Sequence, residues 1–252
     1  MVLTPASSLN AWIAGRKPNL RARMRLFCFP YAGGTASLFR NWSDCLAPDV
    51  EICPVQFPGR GPRAMEPPFV ELPALIEALS KVLLPLFVDK PFALFGHSLG
   101  TLVSFELARH IGTNYGVRPV RLFVSAGPAP QIPHRELPVH NLPEREFLEK
   151  LRRLDGTPVE LLNHKELMDI VLPSLRADFA LYESYRYSSE PPLDCPISAY
   201  GGLDDRHVKR RDLEGWREQT NLSFSIRMLP GDHFFFRTTE RALLRVLAQE
   251  LR

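Results

Sequence analysis

The sequence predicts an α/β fold, with a mostly parallel central sheet flanked by helices and an inserted helical cap. Three observations carry this. Short apolar runs bounded by Gly and Pro recur along the chain, segments with helical spacing alternate with them, and the alternation breaks once, between about residues 132 and 192. Alternating strands and helices bury a parallel sheet on both faces, and sites then form on loops at the carboxyl ends of the strands.

The expected strands are Arg25–Phe29, Glu51–Phe57, Phe92–Phe95, Arg121–Ser125, Pro196–Tyr200 and Phe224–Leu229, each short and apolar enough to be buried. In Leu72–Phe87, Leu99–Ile111 and Thr239–Leu251 apolar residues return every three or four positions, which places them on one face of a helix. The stretches Glu144–Leu154, Val159–Leu162 and Lys165–Tyr185 follow one another without an intervening strand. Residues 132–192 therefore read as a helical lid inserted into a single domain spanning 1–252, placed to shield a reaction from water.

The bulk numbers exclude several classes. With 252 residues, 45% hydrophobic and 23% charged, the chain has the length and composition of one large globular domain. The net charge of +3 is small, and Lys and Arg are dispersed, so no nucleic-acid partner is expected. The first residues contain no apolar run of signal-peptide length and no segment approaches a membrane span, which predicts a cytoplasmic protein with no membrane partner. Cys28, Cys45, Cys53 and Cys195 stand far apart with no Cys-x-x-Cys pair, so no metal is expected. Cys28 and Cys53 lie in predicted strands and read as small buried hydrophobes.

The central chemical signal is Gly96-His97-Ser98-Leu99-Gly100, between the apolar run Phe92–Phe95 and the helical pattern that starts at Leu99. A bare G-x-S-x-G arises by chance in about one chain in twelve of this length at ordinary Gly and Ser frequencies. Its position between a strand and a helix is what makes it specific. There the serine sits on a sharp, strained turn, the nucleophile elbow of the α/β-hydrolase fold, and its hydroxyl projects into the site.

A serine hydroxyl needs a base within hydrogen-bond reach, usually a histidine oriented by a carboxylate, and this fold carries them in the order Ser, Asp, His. His233 is the candidate base, because it follows the turn Leu229-Pro230-Gly231-Asp232 after the last predicted strand. His97 is excluded by adjacency to Ser98, His110 lies inside a helix, and His134, His140 and His164 fall in the lid. For the acid, Tyr200-Gly201-Gly202-Leu203-Asp204-Asp205 turns at a strand end, and its two adjacent carboxylates cannot be separated on this ground; Asp232, beside His233, is weaker. Two backbone N–H donors must face the oxyanion. Leu99, after the nucleophile, supplies one, and the loop Phe29-Pro30-Tyr31-Ala32-Gly33-Gly34 supplies the other, with Ala32 preferred and Gly33 next.

At these residues the chain resembles the type II thioesterases, stand-alone editing enzymes of polyketide and non-ribosomal peptide synthesis, and the related medium-chain thioesterase of animal fatty acid synthase. Phe27-Cys28-Phe29-Pro30-Tyr31-Ala32-Gly33-Gly34 is similar to the family's opening strand and oxyanion loop, and Phe57-Pro58-Gly59-Arg60-Gly61 to its proline-glycine-arginine loop. Lys90–Ser98 resembles the nucleophile segment and Leu172–Asp178 the cap helix, and Gly202-Leu203-Asp204-Asp205, Trp216 and Gly231–Phe235 complete the match over about Arg25 to Leu251. Aligned on the glycine, the resemblance assigns the acid to Asp205. Thr101 departs from it, since many relatives carry Gly or Ala there.

The resemblance implies a Ser98–His233–Asp205 triad that hydrolyses acyl thioesters through an acyl-serine, with Ala32 and Leu99 as oxyanion donors. The partners it implies are acyl or peptidyl carrier proteins, whose phosphopantetheine arm holds the substrate, so that the enzyme needs no cofactor of its own. Arg206, Lys209, Arg210 and Arg211 form a basic run that either steers an acidic carrier or is a solvated helix face. Phe234-Phe235-Phe236 either lines an acyl pocket or packs in the core. A carboxylesterase, lipase or acyl-CoA thioesterase would use the same triad on another substrate, an acyltransferase would use another second nucleophile, and a non-catalytic binding protein would lack part of the triad.

Overall fold

The computed structural model describes residues 5–46, 48–133 and 137–252; His134, expected in the lid, lies outside them. Six strands, β1 (Met24–Phe29), β2 (Val50–Pro54), β3 (Phe92–His97), β4 (Arg121–Ser125), β5 (Ile197–Gly202) and β6 (Phe224–Leu229), form one sheet in the order β2-β1-β3-β4-β5-β6. Every neighbouring pair is parallel, so the sheet is parallel throughout. All six strands stand where the apolar runs place them, and β2 stops at Pro54, three residues short of the expected end. Strands β1 to β5 are buried almost end to end, as a sheet covered on both faces requires. β6 differs from the buried strand expected: up to Leu229 its residues alternate, with Phe224, Ile226 and Met228 packed on the core and Ser225 and Arg227 in solvent, so only one of its faces is covered.

The helices, in chain order, are α1 (Pro5–Trp12), α2 (Trp42–Cys45), α3 (Leu72–Asp89), α4 (Leu99–Tyr115), α5 (Glu144–Leu154), α6 (Val159–Leu162), α7 (Lys165–Glu183), α8 (Arg210–Glu214) and α9 (Phe236–Glu250). Side-chain alternation along the strands divides the interior into two cores. Phe27, Phe29 and Leu94 meet Leu79 of α3 and Val103 of α4 on one face, while Leu26, Cys28 and Phe95 meet Trp42 of α2 and Leu243 of α9 on the other. α1 was not expected from the sequence. It ends in a one-residue antiparallel bridge from Ile13 to Val55, beside the β2 edge. No helix among the described residues is long and apolar enough to cross a membrane.

Helices α5, α6 and α7 intervene between β4 and β5 and gather around their own apolar cluster, which includes Val139, Phe147, Leu151, Leu162 and Met168. The helix α7 also joins the main body. Its Asp178 is buried, forms a bidentate pair with the buried Arg60 of the proline-glycine-arginine loop, and accepts a 2.7 Å hydrogen bond from the Gly33 N–H. One carboxylate thus ties the helical insertion to two loops at the sheet's carboxyl end. Removing one partner of such a buried pair generally costs about 3–5 kcal/mol, because the other charge is left uncompensated. Cys28, Cys53 and Cys195 are buried free thiols, and burial pushes the last two up to about 12, far from thiolate chemistry at neutral pH.

Candidate active site

β3 runs straight into α4 through Ser98, and the turn is too tight for side chains at its two glycines. A Cβ on Gly96 would sit 2.2 Å from the Gly100 carbonyl oxygen, and one on Gly100 would sit 2.2 Å from the Phe29 carbonyl oxygen at the end of β1. Ser98 pays for this geometry with φ of +53°, a strained conformation that costs a non-glycine residue about 1–3 kcal/mol. Its N–H donates to the Ser125 carbonyl at 2.8 Å, which fastens the turn to β4. Thr101, the departure noted in the sequence, is accommodated: its hydroxyl donates to the Gly96 and Ser125 carbonyls at 3.1 and 3.2 Å. The residue opposite is Gly127, where a Cβ would lie only 2.7 Å from Thr101.

Asp205 and His233 come from loops after β5 and β6 that touch directly. The Asp204 N–H donates to the Gly231 carbonyl at 2.9 Å, and a Cβ on Gly202 would lie 2.0 Å from the Asp232 carbonyl oxygen. The structure therefore brings the three residues into one chain of hydrogen bonds. Ser98 Oγ lies 3.0 Å from His233 Nε2, and His233 Nδ1 lies 2.9 Å from Asp205 Oδ2. The other oxygen of Asp205 accepts from the His207 and Val208 N–H groups at 2.8 and 3.0 Å. Asp204 is exposed and outside this chain, and the Asp232 carboxylate caps the Phe234 N–H instead.

The electrostatics keep the acid ionised. Burial acts to raise the Asp205 pKa, but the hydrogen bond and charge of His233, with the two backbone N–H groups, outweigh it and hold the carboxyl below the ordinary 3.8. His97, excluded as a base, sits 5.6 Å from the His233 ring, among Tyr31, Phe234 and Phe236, with Nδ1 at 2.9 Å from Ser125 Oγ. Burial above all, then the charges of His233 and Arg237, press its pKa well below 6.5, so it stays neutral. Its buried Nε2 has no hydrogen-bond partner among the described residues. Sequence reasoning also passed over His207, whose ring lies 5.8 Å from that of His233.

Leu99 opens α4, so its N–H is one of the first-turn donors without an intrahelical acceptor. In the loop after β1, Pro30 has no N–H, the Gly33 N–H is taken by Asp178, and that of Gly34 by the Tyr31 carbonyl. Gly33, the second candidate donor, is thereby committed elsewhere. Beside Ser98 runs a narrow cleft lined by Leu102, Pro128, Ile132, Tyr182, Tyr185 and Trp216, whose indole donates to the Gly127 carbonyl at 2.9 Å. Phe234, Phe235 and Phe236 do not line it; all three are buried in the core on the α9 side of the sheet. Nothing in local periodicity marked Tyr182 and Tyr185, and the general signal available was the loop at the carboxyl end of β4.

The comparisons with known proteins decide the family. The profile of the thioesterase domain matches residues 24–251, nearly the whole chain. The chain belongs to the thioesterase family. It is 44% identical over 99% of its length to the gramicidin S biosynthesis protein GrsT of Aneurinibacillus migulanus, covering 97% of that protein. It is 39% identical over 89% of its length to the thioesterase PikA5 of Streptomyces venezuelae, covering 79% of that protein. Among solved structures it is similar to the type II thioesterase BorB from the borrelidin biosynthetic cluster, with a TM-score of 0.87 and 37% identity over 96% of this chain and 98% of the other. The α/β-hydrolase architecture and the resemblance to type II thioesterases read from the motifs both hold.

Two outcomes test this geometry. Gly100→Ala is expected to lower the Tm by more than roughly 6 °C, the shift that about 3 kcal/mol produces in a chain of this size; a melt within a degree or two of the parental protein would contradict the close approach. The Asp205 carboxyl titrates lower in the folded than in the unfolded chain, where the ordinary value is 3.8, so its stabilisation is present above that pH and lost as pH falls through the folded value. Asp205→Asn, which cannot ionise, should therefore melt below the parental protein at neutral pH, with the gap closing as pH drops below 3.8; a gap independent of pH would overturn the assignment.

Proposed function

We propose that this member of the thioesterase family hydrolyses acyl thioesters held on the phosphopantetheine arm of acyl or peptidyl carrier proteins, releasing stalled or aberrant chains in polyketide or non-ribosomal peptide synthesis. The observation that carries the reading is the hydrogen-bonded chain Ser98–His233–Asp205 at the mouth of an apolar cleft. Its family membership and the names of its relatives support the thioester as the bond attacked.

In this reading His233 Nε2 takes the proton of Ser98 as Oγ attacks the thioester carbonyl. Asp205 accepts from His233 Nδ1, which fixes the tautomer and stabilises the imidazolium. The N–H groups of Leu99 and Ala32 stabilise the oxyanion. A thiol has a pKa of about 8.5, far below that of an alcohol, so the carrier's thiolate leaves with little help from the proton on His233. Water, deprotonated by His233, then attacks the acyl-serine and releases the free acid. The helical insertion α5–α7 acts as a lid that excludes bulk water from the cleft, within one domain.

Carrier proteins are acidic, and the basic run lies exposed beside the Asp205 loop. Its members are not equivalent. Lys209 donates to the Asp205 carbonyl at 2.7 Å and belongs to the site's scaffold, and Arg210 pairs with Glu214 at 3.0 Å. Arg206 and Arg211 are the exposed charges best able to face a partner, with Arg211 only 3.8 Å from the Asp212 carboxylate. This reading keeps the protein in the cytoplasm with its carriers.

Intact-mass analysis of acyl-loaded carrier protein, with acyl-CoA and a small activated ester in parallel, tests the proposal. The parental protein should strip the carrier faster than it cleaves the other two substrates, and Ser98→Ala should slow this by at least about a thousandfold. Arg206→Glu combined with Arg211→Glu should weaken the carrier reaction several-fold at low salt while sparing the small ester. Cleavage of the small ester alone would replace this function with a general esterase. Equal rates on acyl-CoA and carrier would remove the carrier from it, and transfer of the acyl group to an added amine or alcohol would make the protein an acyltransferase.

A further inference from the structure

One face of α4 carries Ser98 at its start, then Leu102, Glu106, Arg109 and Thr113, spaced four, four, three and four residues apart. Two hollows lie along this face in succession. The cleft beside Ser98, on Leu102, has about 20 Å³ of free space, whereas the groove further along, on Glu106, Arg109 and Thr113, has about 680 Å³. The second is within the size range of ligand sites in general, and the first is far below it. Tyr185 borders both. It stands two residues beyond α7, where the helical insertion returns to the sheet.

The Tyr185 ring is held across α4 by a defined set of bonds. Its hydroxyl donates to Glu106 Oε1 at 2.7 Å. The same oxygen of Glu106 pairs with Arg109 at 3.0 Å, and Arg109, itself buried, pairs with Glu190 at 2.7 Å and donates to the Ser188 carbonyl at 2.8 Å. Burial and the neighbouring Glu106 carboxylate raise the phenol's pKa, so it remains a neutral donor. Glu106 lies eight residues from Ser98, which on a helix is roughly 12 Å along the axis and the length of a medium acyl chain.

We propose that Tyr185 sets the acyl-length limit of this site: its ring walls off the Ser98 cleft from the larger groove, and its bond to Glu106 keeps the wall closed. The inference rests on the acyl-binding role proposed for the cleft. Only the shortest acyl groups fit on the Ser98 side of the ring, and longer ones must displace it. The groove beyond is lined by Leu72, Pro73 and Ile76 as well as by the Glu106 and Glu190 carboxylates and Arg109, so it would admit hydrocarbon chains and chains that carry polar groups alike.

The test compares the parental protein with Tyr185→Ala and Tyr185→Phe on two readouts. One is hydrolysis of acetyl-, butyryl-, octanoyl- and dodecanoyl-loaded carrier protein, together with a peptidyl-loaded carrier. The other is the rate at which short and long alkyl fluorophosphonates label Ser98, read by intact mass. Tyr185→Ala should raise the long-to-short ratio roughly tenfold in both, and Tyr185→Phe, which keeps the ring but not the bond, should raise it part-way. An unchanged ratio in Tyr185→Ala overturns the proposal, as does an equal loss with all chain lengths, which would make the ring a mere support of the fold. A ratio in Tyr185→Phe equal to the parental one removes the Glu106 bond from it. Labelling of Ser98 with no hydrolysis of any loaded carrier would defeat the proposed function, and the phosphonate ratio alone would then decide the role of Tyr185. A protein labelled by neither probe overturns both.

Discussion

Three stretches of backbone meet at the start of α4 with no room for a Cβ between them, and the site's arrangement follows from that contact. The Gly96 Cα faces the Gly100 carbonyl, and the Gly100 Cα faces the Phe29 carbonyl, each at a distance only glycine tolerates. The end of β1, the end of β3 and the first turn of α4 are thereby locked together. Ser98 is held at a positive φ, the Leu99 N–H stands at the open helix end, and the Ala32 loop leaves β1 alongside. A conformation this strained persists only where its surroundings over-determine it, and here the Ser98 N–H to Ser125 bond supplies the last constraint.

Polar ties join the remaining parts to this elbow, in addition to the apolar packing of the two cores. The loops after β5 and β6 meet backbone to backbone at Gly202 and Asp232, which sets Asp205 against His233. Asp178 joins the helical insertion to the Ala32–Gly33 loop and to Arg60. On the opposite side Arg237 donates to the Tyr31 hydroxyl at 2.9 Å and to the Gly156 carbonyl at 3.1 Å, with its guanidinium 4.3 Å from the Phe234 ring centre. The insertion is therefore fastened at two places around the oxyanion loop, and again to α4 through Tyr185 on Glu106 and through Arg109 on Ser188 and Glu190. Any movement of the lid has to be taken up between these fixed points, and Tyr185 stands where the chain comes back from the lid to the sheet.

Much of this was legible in the sequence because it is written in short-range patterns. The six strands are apolar runs of the length a doubly covered sheet needs, and five of them are buried as such. The three lid helices lie where the periodicity placed them, α5 and α6 to the residue. The elbow glycines, Ser98 and the turn carrying His233 are local signals of the same kind. The open face of β6 was legible in the alternation Phe224-Ser225-Ile226-Arg227-Met228 but was passed over in favour of the strand's overall apolar character. α1 was not legible, because its short apolar pattern carries no strong periodicity.

The sequence by itself determined the strand-turn-helix context of Ser98, the presence of a later acid and a last histidine on strand-end loops, and, through its resemblance, the family. Only the tertiary structure decided how these groups meet. It set Asp205, the acid the resemblance had assigned, in hydrogen-bond contact with His233, and it committed the Gly33 N–H, the second oxyanion candidate, to Asp178. It moved the three consecutive phenylalanines into the core and gave the cleft to Tyr182, Tyr185 and Trp216 instead. The physical reason is range. Propensity, periodicity and glycine placement act within a few residues, whereas a cleft wall and a hydrogen-bonded chain are formed by groups as far apart in the sequence as Ser98 and His233.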